Sequence, residues 1–82
     1  MPLPRVTLFT KPGCHLCEAV EQVIRAARRR RHYDLEVRNI LDHPADFEKY
    51  RHEIPVVMLN GVEVARHRLT AEEFEALLDA VP

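Results

Sequence analysis

Apolar residues fall along this chain in two rhythms. Val6-Thr7-Leu8-Phe9 is a short apolar run that reads as a buried strand. Lys11-Pro12-Gly13 breaks it, and Leu16, Val20, Val23, Ile24 and Ala27 then recur at helical spacing, with Glu18, Glu21 and Arg25 on other faces. This predicts an amphipathic helix over about residues 15–30. Tyr33 and Asp34 supply a turn, and Leu35-Glu36-Val37-Arg38 alternates as a half-buried strand does. Two parallel strands joined through a helix make a βαβ unit with a right-handed crossover.

Asp42-His43-Pro44 marks a second helix start, with Phe47 and Tyr50 as its anchors and His43 and His52 on the surface. Ile54-Pro55 introduces Val56-Val57-Met58-Leu59, apolar throughout as in a strand buried on both faces. Asn60-Gly61 predicts a type I′ hairpin turn into Val62-Glu63-Val64, an edge strand. Thr70-Ala71-Glu72-Glu73 is a capping box, and Phe74, Leu77, Leu78 and Val81 carry a last amphipathic helix. The fold class is α/β in the order β-α-β-α-β-β-α, with four strands, one antiparallel relation among them, and helices on both faces.

Composition narrows this picture. At 82 residues the chain is expected to be one domain, residues 1–82. Such a chain buries about 60% of its unfolded surface, enough to fold alone. With 46% apolar residues and a net charge of −1, it is neither disordered nor a global basic field for nucleic acid. No apolar leader or bilayer-length run is seen, so the expected setting is cytoplasmic, without membrane attachment, and a monomer is expected. Arg28-Arg29-Arg30-Arg31 reads as a solvated helix end whose cations suit the C-terminal dipole, with docking to an acidic partner left open.

The only two cysteines, Cys14 and Cys17, sit at the first strand-to-helix junction. Helical residues at i and i+3 have Cβ atoms about 5–6 Å apart, whereas a disulfide wants roughly 3.5–4.5 Å. The pair closes most easily when the first cysteine lies at the helix N-terminal edge, as Cys14 does. Unpaired N–H groups and about half a positive charge at that edge stabilise a thiolate. The expected asymmetry is an exposed, acidic attacking thiol at Cys14 and a shielded resolving thiol at Cys17, as thiol–disulfide exchange requires. Two readings compete: small core hydrophobes, which a C-x-x-C at a strand–turn–helix junction argues against, and half of a zinc site, although a closed site wants four ligands and no second cysteine pair exists.

By these motifs the chain resembles the thioredoxin-like superfamily, and within it the small glutaredoxin-like proteins. Thr10-Lys11-Pro12-Gly13-Cys14-His15-Leu16-Cys17 is similar to their active-site loop, Ile54-Pro55-Val56 to their cis-proline segment, and Asn60 to Val64 to their hairpin. The resemblance implies that Cys14 is the nucleophile and Cys17 resolves the mixed disulfide. It implies that Pro55 is cis and packs against the cysteine pair, and that the Ile54 backbone pairs with an extended substrate segment. It also puts Lys11 where glutaredoxins hold a glutathione carboxylate; the alternative is a solvated loop lysine.

The chain departs from the family pattern in two places. His15-Leu16 lies between the cysteines where glutaredoxins have Pro-Tyr, and His15 is either a tuning residue for Cys14 or an exposed first-turn histidine. Ala65-Arg66-His67-Arg68 replaces the Gly-Gly turn and acidic residue that hold glutathione. The function expected is a thiol–disulfide oxidoreductase acting on protein disulfides or mixed disulfides. No bound cofactor is expected, and glutathione is a doubtful electron donor. The implied partners are a disulfide-containing protein and a reductase. The alternative is a metal or iron–sulfur carrier using the same cysteine pair; metal chaperones, however, place a methionine before the pair and order their elements β-α-β-β-α-β.

Overall fold

The computed structural model describes residues 2–81. Its elements are β1 (Arg5–Thr10), α1 (His15–Ala26), β2 (Asp34–Asn39), α2 (Pro44–Tyr50), β3 (Val56–Leu59), β4 (Val62–Arg66) and α3 (Ala71–Asp79). The strands form one mixed sheet in the order β2-β1-β3-β4. β1 is central, parallel to β2 and antiparallel to β3.

Because β3 is also antiparallel to β4, the sheet has two antiparallel pairings where the sequence suggested one. The reason is the length of α2. Its 7 residues rise only about 10 Å, half of the roughly 20 Å needed to return along a six-residue strand. The chain therefore enters β3 at the end of the sheet where β2 stopped.

Pleat alternation divides the interior in two. Val6, Leu8, Val57 and Leu59 face Val20 and Ile24 of α1 and Phe74 and Leu78 of α3. Phe9 and Val56 face the other way and pack with Ile40, Phe47 and Tyr50 around α2. The Phe9 and Tyr50 rings lie 4.6 Å apart, centroid to centroid.

Several local expectations are corrected. The helix after the cysteines is α-helical only to Ala26 and tightens into a 3₁₀ turn over Ala27–Arg29. Leu16, expected on its buried stripe, is 45% exposed. Tyr33 is no turn residue. Its buried ring stands edge-on to Phe74 and its hydroxyl donates to the Ile24 carbonyl. Burial raises the Tyr33 pKa, against the opposing pull of Arg28 and Arg25. Asp34 belongs to β2, opposite Arg5.

The arginine run is not simply solvated. The Arg30 guanidinium lies 3.7 Å from Glu75, and Arg31 pairs with Asp79 and donates to the Leu78 carbonyl at 3.0 Å. Arg28 lies over the Tyr33 ring. These arginines complement the acidic side and C-terminal carbonyls of α3, the helix packed beside α1.

The hairpin has Asn60 at φ 52° and Gly61 at φ 80°, the paired positive angles of a type I′ turn. The Asn60 side chain accepts from the Arg5 N–H at 2.9 Å, fastening the turn to the start of β1. Between Val57 and Met58 the register of β4 shifts, leaving Val64 extra. Val64 and Ala65 consequently both pack on the α1–α3 core, which strict alternation does not allow.

The capping box forms as expected: Thr70 Oγ1 accepts from the Glu73 N–H at 3.1 Å, and Glu73 Oε1 accepts from the Thr70 N–H at 2.9 Å. That backbone N–H holds the Glu73 carboxyl below its ordinary value. A depressed carboxylate pKa adds stability above the unfolded value near 4.3, and the contribution disappears as pH falls through the folded value. Glu73→Gln should be less stable than the parent at neutral pH, and its deficit should shrink as pH falls below about 4. Urea unfolding from pH 7 to pH 3 reads this; a deficit that stays constant across the range contradicts the assignment.

Candidate active site at the start of α1

After β1 the chain turns through Lys11-Pro12-Gly13, and Gly13 has φ 78°, a left-handed angle that glycine adopts without a Cβ penalty. This turn delivers Cys14 in extended conformation as the N-cap of α1. Its Sγ accepts a hydrogen bond from the Cys17 N–H at 3.2 Å, taking the place that a serine or aspartate oxygen fills in other helices. The sulfur therefore sits where the helix field favours negative charge.

The two Cα atoms are 5.2 Å apart, within the range a disulfide spans, and the pair is closed. Cys17 is 1% exposed and Cys14 is half-buried. The pair is therefore asymmetric in access. His15 projects into solvent, 95% exposed, with Nδ1 3.4 Å from Glu18 Oε2. Its identified partner is thus a carboxylate one turn along. Lys11 is exposed beside a cleft of about 250 Å³ that Glu18 and Glu21 also line.

The antiparallel register sets Phe9 opposite Val56, so Pro55 lies at the same end of the sheet as the cysteine loop. The Ile54–Pro55 bond is cis and Pro55 is buried. The Ile54 N–H donates to the Tyr50 carbonyl at 3.1 Å, whereas its own carbonyl accepts from no described residue. Of the backbone groups that the resemblance assigns to an incoming strand, only the Ile54 carbonyl is unengaged.

The segment after β4 closes this end. The His67 N–H donates to the Pro55 carbonyl at 2.7 Å, and His67 Nε2 lies 3.2 Å from Glu53 Oε2. Arg66 reaches the same Glu53 oxygen at 3.2 Å and pairs with Glu63. Its hydrogen bond pulls the Glu63 carboxyl below its ordinary value, and the Arg66 guanidinium is stabilised in return. Leu16, Val20, Val23, His67 and Arg68 border an open groove of about 230 Å³ on this flank. Among the described residues, no three His, Cys, Asp or Glu side chains gather into a metal site. A metal on Cys14 and Cys17 would draw its other ligands from outside the set.

The family model described as Glutaredoxin-like domain (DUF836) matches residues 5–79. The chain belongs to that family. Solved structures agree on the fold. A protein of Nitrosomonas europaea, solved in solution by NMR, is 23% identical with a TM-score of 0.78, over 94% of this chain and 93% of that one. A structural-genomics protein of X. campestris is 28% identical with a TM-score of 0.72, over 94% of this chain and 95% of the other. A mutant thioredoxin from Halobacterium salinarum is 18% identical with a TM-score of 0.64, over 95% of this chain and 71% of its own.

In this glutaredoxin-like domain, the structure brings the cysteine loop and the Ile54–Pro55 segment to one sheet end. Lys11 and His15 lie on the cysteine loop and face solvent. Sequence reasoning missed Glu53 and His67. His67 could have been suspected only from its place in the turn that replaces Gly-Gly, since its contacts are separated by at least a dozen residues of chain. From the cap geometry and burial, iodoacetamide should modify Cys14 of the reduced protein well before Cys17, and at lower pH. Mass-spectrometric mapping across pH checks this, and equal rates at the two cysteines would contradict it.

Proposed function

We propose that this protein is a thiol–disulfide oxidoreductase that reduces disulfides in protein substrates. The observation that carries the reading is the Cys14 sulfur at the N-cap of α1, accepting the Cys17 N–H, with Cys17 buried behind it. In the reduced protein, the Cys14 thiolate attacks one sulfur of the substrate disulfide. A Cys14–substrate disulfide forms and the other substrate sulfur leaves as a thiolate, which takes a proton from solvent. Cys17 then gives up its proton and attacks Cys14 Sγ, and the second substrate sulfur leaves and is protonated. Two electrons have passed to the substrate, and the Cys14–Cys17 disulfide remains. A donor dithiol of the reductase type restores it by the reverse exchange.

Such chemistry suits a reducing compartment such as the cytoplasm, where it would serve redox homeostasis as a monomeric electron carrier. Ile54 and Pro55 would seat the substrate chain, with the Ile54 carbonyl as the acceptor for its N–H. Cys17→Ser should leave a competent nucleophile and stop the dithiol cycle, so Cys14 accumulates as a mixed disulfide with its substrate. Cys14→Ser should trap nothing. Non-reducing gels and turnover with insulin read both, and wild-type reduction by both single mutants would refute the mechanism.

Glutathione should serve poorly as the reductant. Residues 65–68 carry no acid to meet its amine, and the acids that fold nearby, Glu53 and Glu63, are both held by Arg66. Lys11 shares its cleft with Glu18 and Glu21, which oppose a bound carboxylate. Losing one charge-assisted contact costs about 1.5–3 kcal/mol, or roughly tenfold to a hundredfold in affinity. Steady-state reduction of a glutathione mixed disulfide should be slow beside reduction of insulin with a thioredoxin-reductase donor. Turnover matching an ordinary dithiol glutaredoxin would overturn this.

A further inference from the structure

His67 holds Ile54 from both sides. Its N–H donates to the carbonyl of Pro55, the residue after Ile54, at 2.7 Å. Its imidazole Nε2 lies 3.2 Å from the carboxylate of Glu53, the residue before Ile54. To make both contacts His67 adopts φ 67°, and the Arg68 N–H closes on the Arg66 carbonyl at 2.7 Å, a three-residue turn with a positive central angle. A side chain in that region is uncommon outside Asn, Asp and His, and it persists where surrounding contacts hold it. Glycine would meet the backbone demand at lower cost. A histidine here adds one thing, the link to Glu53.

The rest of the surroundings makes that link directional. Glu53 is also bound by Arg66, which is anchored in turn on Glu63, so the carboxylate is fixed from the β4 side. Ile54 is held from the α2 side by its N–H bond to Tyr50. Residues 53 and 55 and the Ile54 amide are thus all tied down, and the backbone group of Ile54 left without a partner among the described residues is its carbonyl. A carbonyl fixed at a sheet end accepts an N–H from an extended chain with little loss of freedom on binding.

We propose that His67 is a positioning residue: through its paired contacts to Glu53 and Pro55 it fixes the Ile54 carbonyl for pairing with the backbone of a protein substrate. This rests on the reading of the protein as a disulfide reductase. It assigns the turn that replaces Gly-Gly a role in seating polypeptide.

The test separates the two contacts. His67→Gly keeps the positive φ and the N–H and removes the imidazole. His67→Gln keeps a side-chain N–H donor at about the reach of the imidazole Nε2 towards Glu53. An exposed pair of this kind is worth a factor of about two to five. His67→Gly should therefore raise KM for insulin about two- to fivefold, with kcat unchanged and the rate with dipyridyl disulfide, which has no peptide backbone, also unchanged. His67→Gln should restore most of the loss. In hydrogen exchange followed by NMR, the Ile54 amide of His67→Gly should exchange about two- to fivefold faster, with the amides of β1 unaffected. Wild-type exchange at Ile54 overturns the proposal whatever the kinetics show, and so does a loss of equal size on both disulfides. If the unmodified protein fails to reduce insulin, the reductase reading falls by itself. The exchange of Ile54 then still decides whether His67 holds this segment: faster exchange supports the clamp and unchanged exchange refutes it.

Discussion

The antiparallel pairing of β1 with β3 is the constraint on which the site depends. Phe9 lies opposite Val56, so the end of β1 and the beginning of β3 share one edge of the sheet. Four residues beyond Thr10 comes Cys14, and one residue before Val56 comes Pro55. Backbone hydrogen bonds thereby bring together two segments some forty residues apart in sequence. A parallel β3 would have put Pro55 at the opposite end of the sheet. The brevity of α2 is what prevents it, so a short helix decides at which end of the sheet the Ile54–Pro55 segment lies.

Within that frame the chemistry comes from the start of α1. Gly13 turns the backbone through an angle that leaves Cys14 extended and Cys17 helical, and the first sulfur then occupies a cap position. The same hydrogen bond that completes the helix end stabilises charge on the sulfur, so folding and reactivity rest on one contact. The burial of Cys17 adds an asymmetry of access, since a shielded thiol is reached by outside reagents less readily than one at the cap.

Ion pairs serve a different purpose here. Those at the far pole join the arginine run after α1 to the acids of α3, and those by the site join Glu53 to Arg66 and His67. Each is partly exposed and screened by solvent, so it adds little beside the burial of Phe74, Ile24 and Leu8 in the core. Their contribution is to orientation. They set one helix or loop against its neighbour where apolar contact alone allows sliding.

The element order, the two apolar faces, the type I′ turn at Asn60-Gly61, the capping box at Thr70 and the cysteine pair at a helix start were all legible in the sequence. Each depends on residues a few positions apart, and local backbone physics carries that information. What the tertiary structure alone decided lies elsewhere. The direction of β3, the bulge at Val64 and the exposure of Leu16 depend on which strand or helix lies alongside. Arg30 and Arg31 looked solvated because their partners Glu75 and Asp79 come more than forty residues later. His67 carried no signal of its own either, for its left-handed backbone is set by a bond to Pro55 and its side chain by Glu53. Periodicity records which residues are buried. Which buried or charged groups meet is settled only when the strands pair.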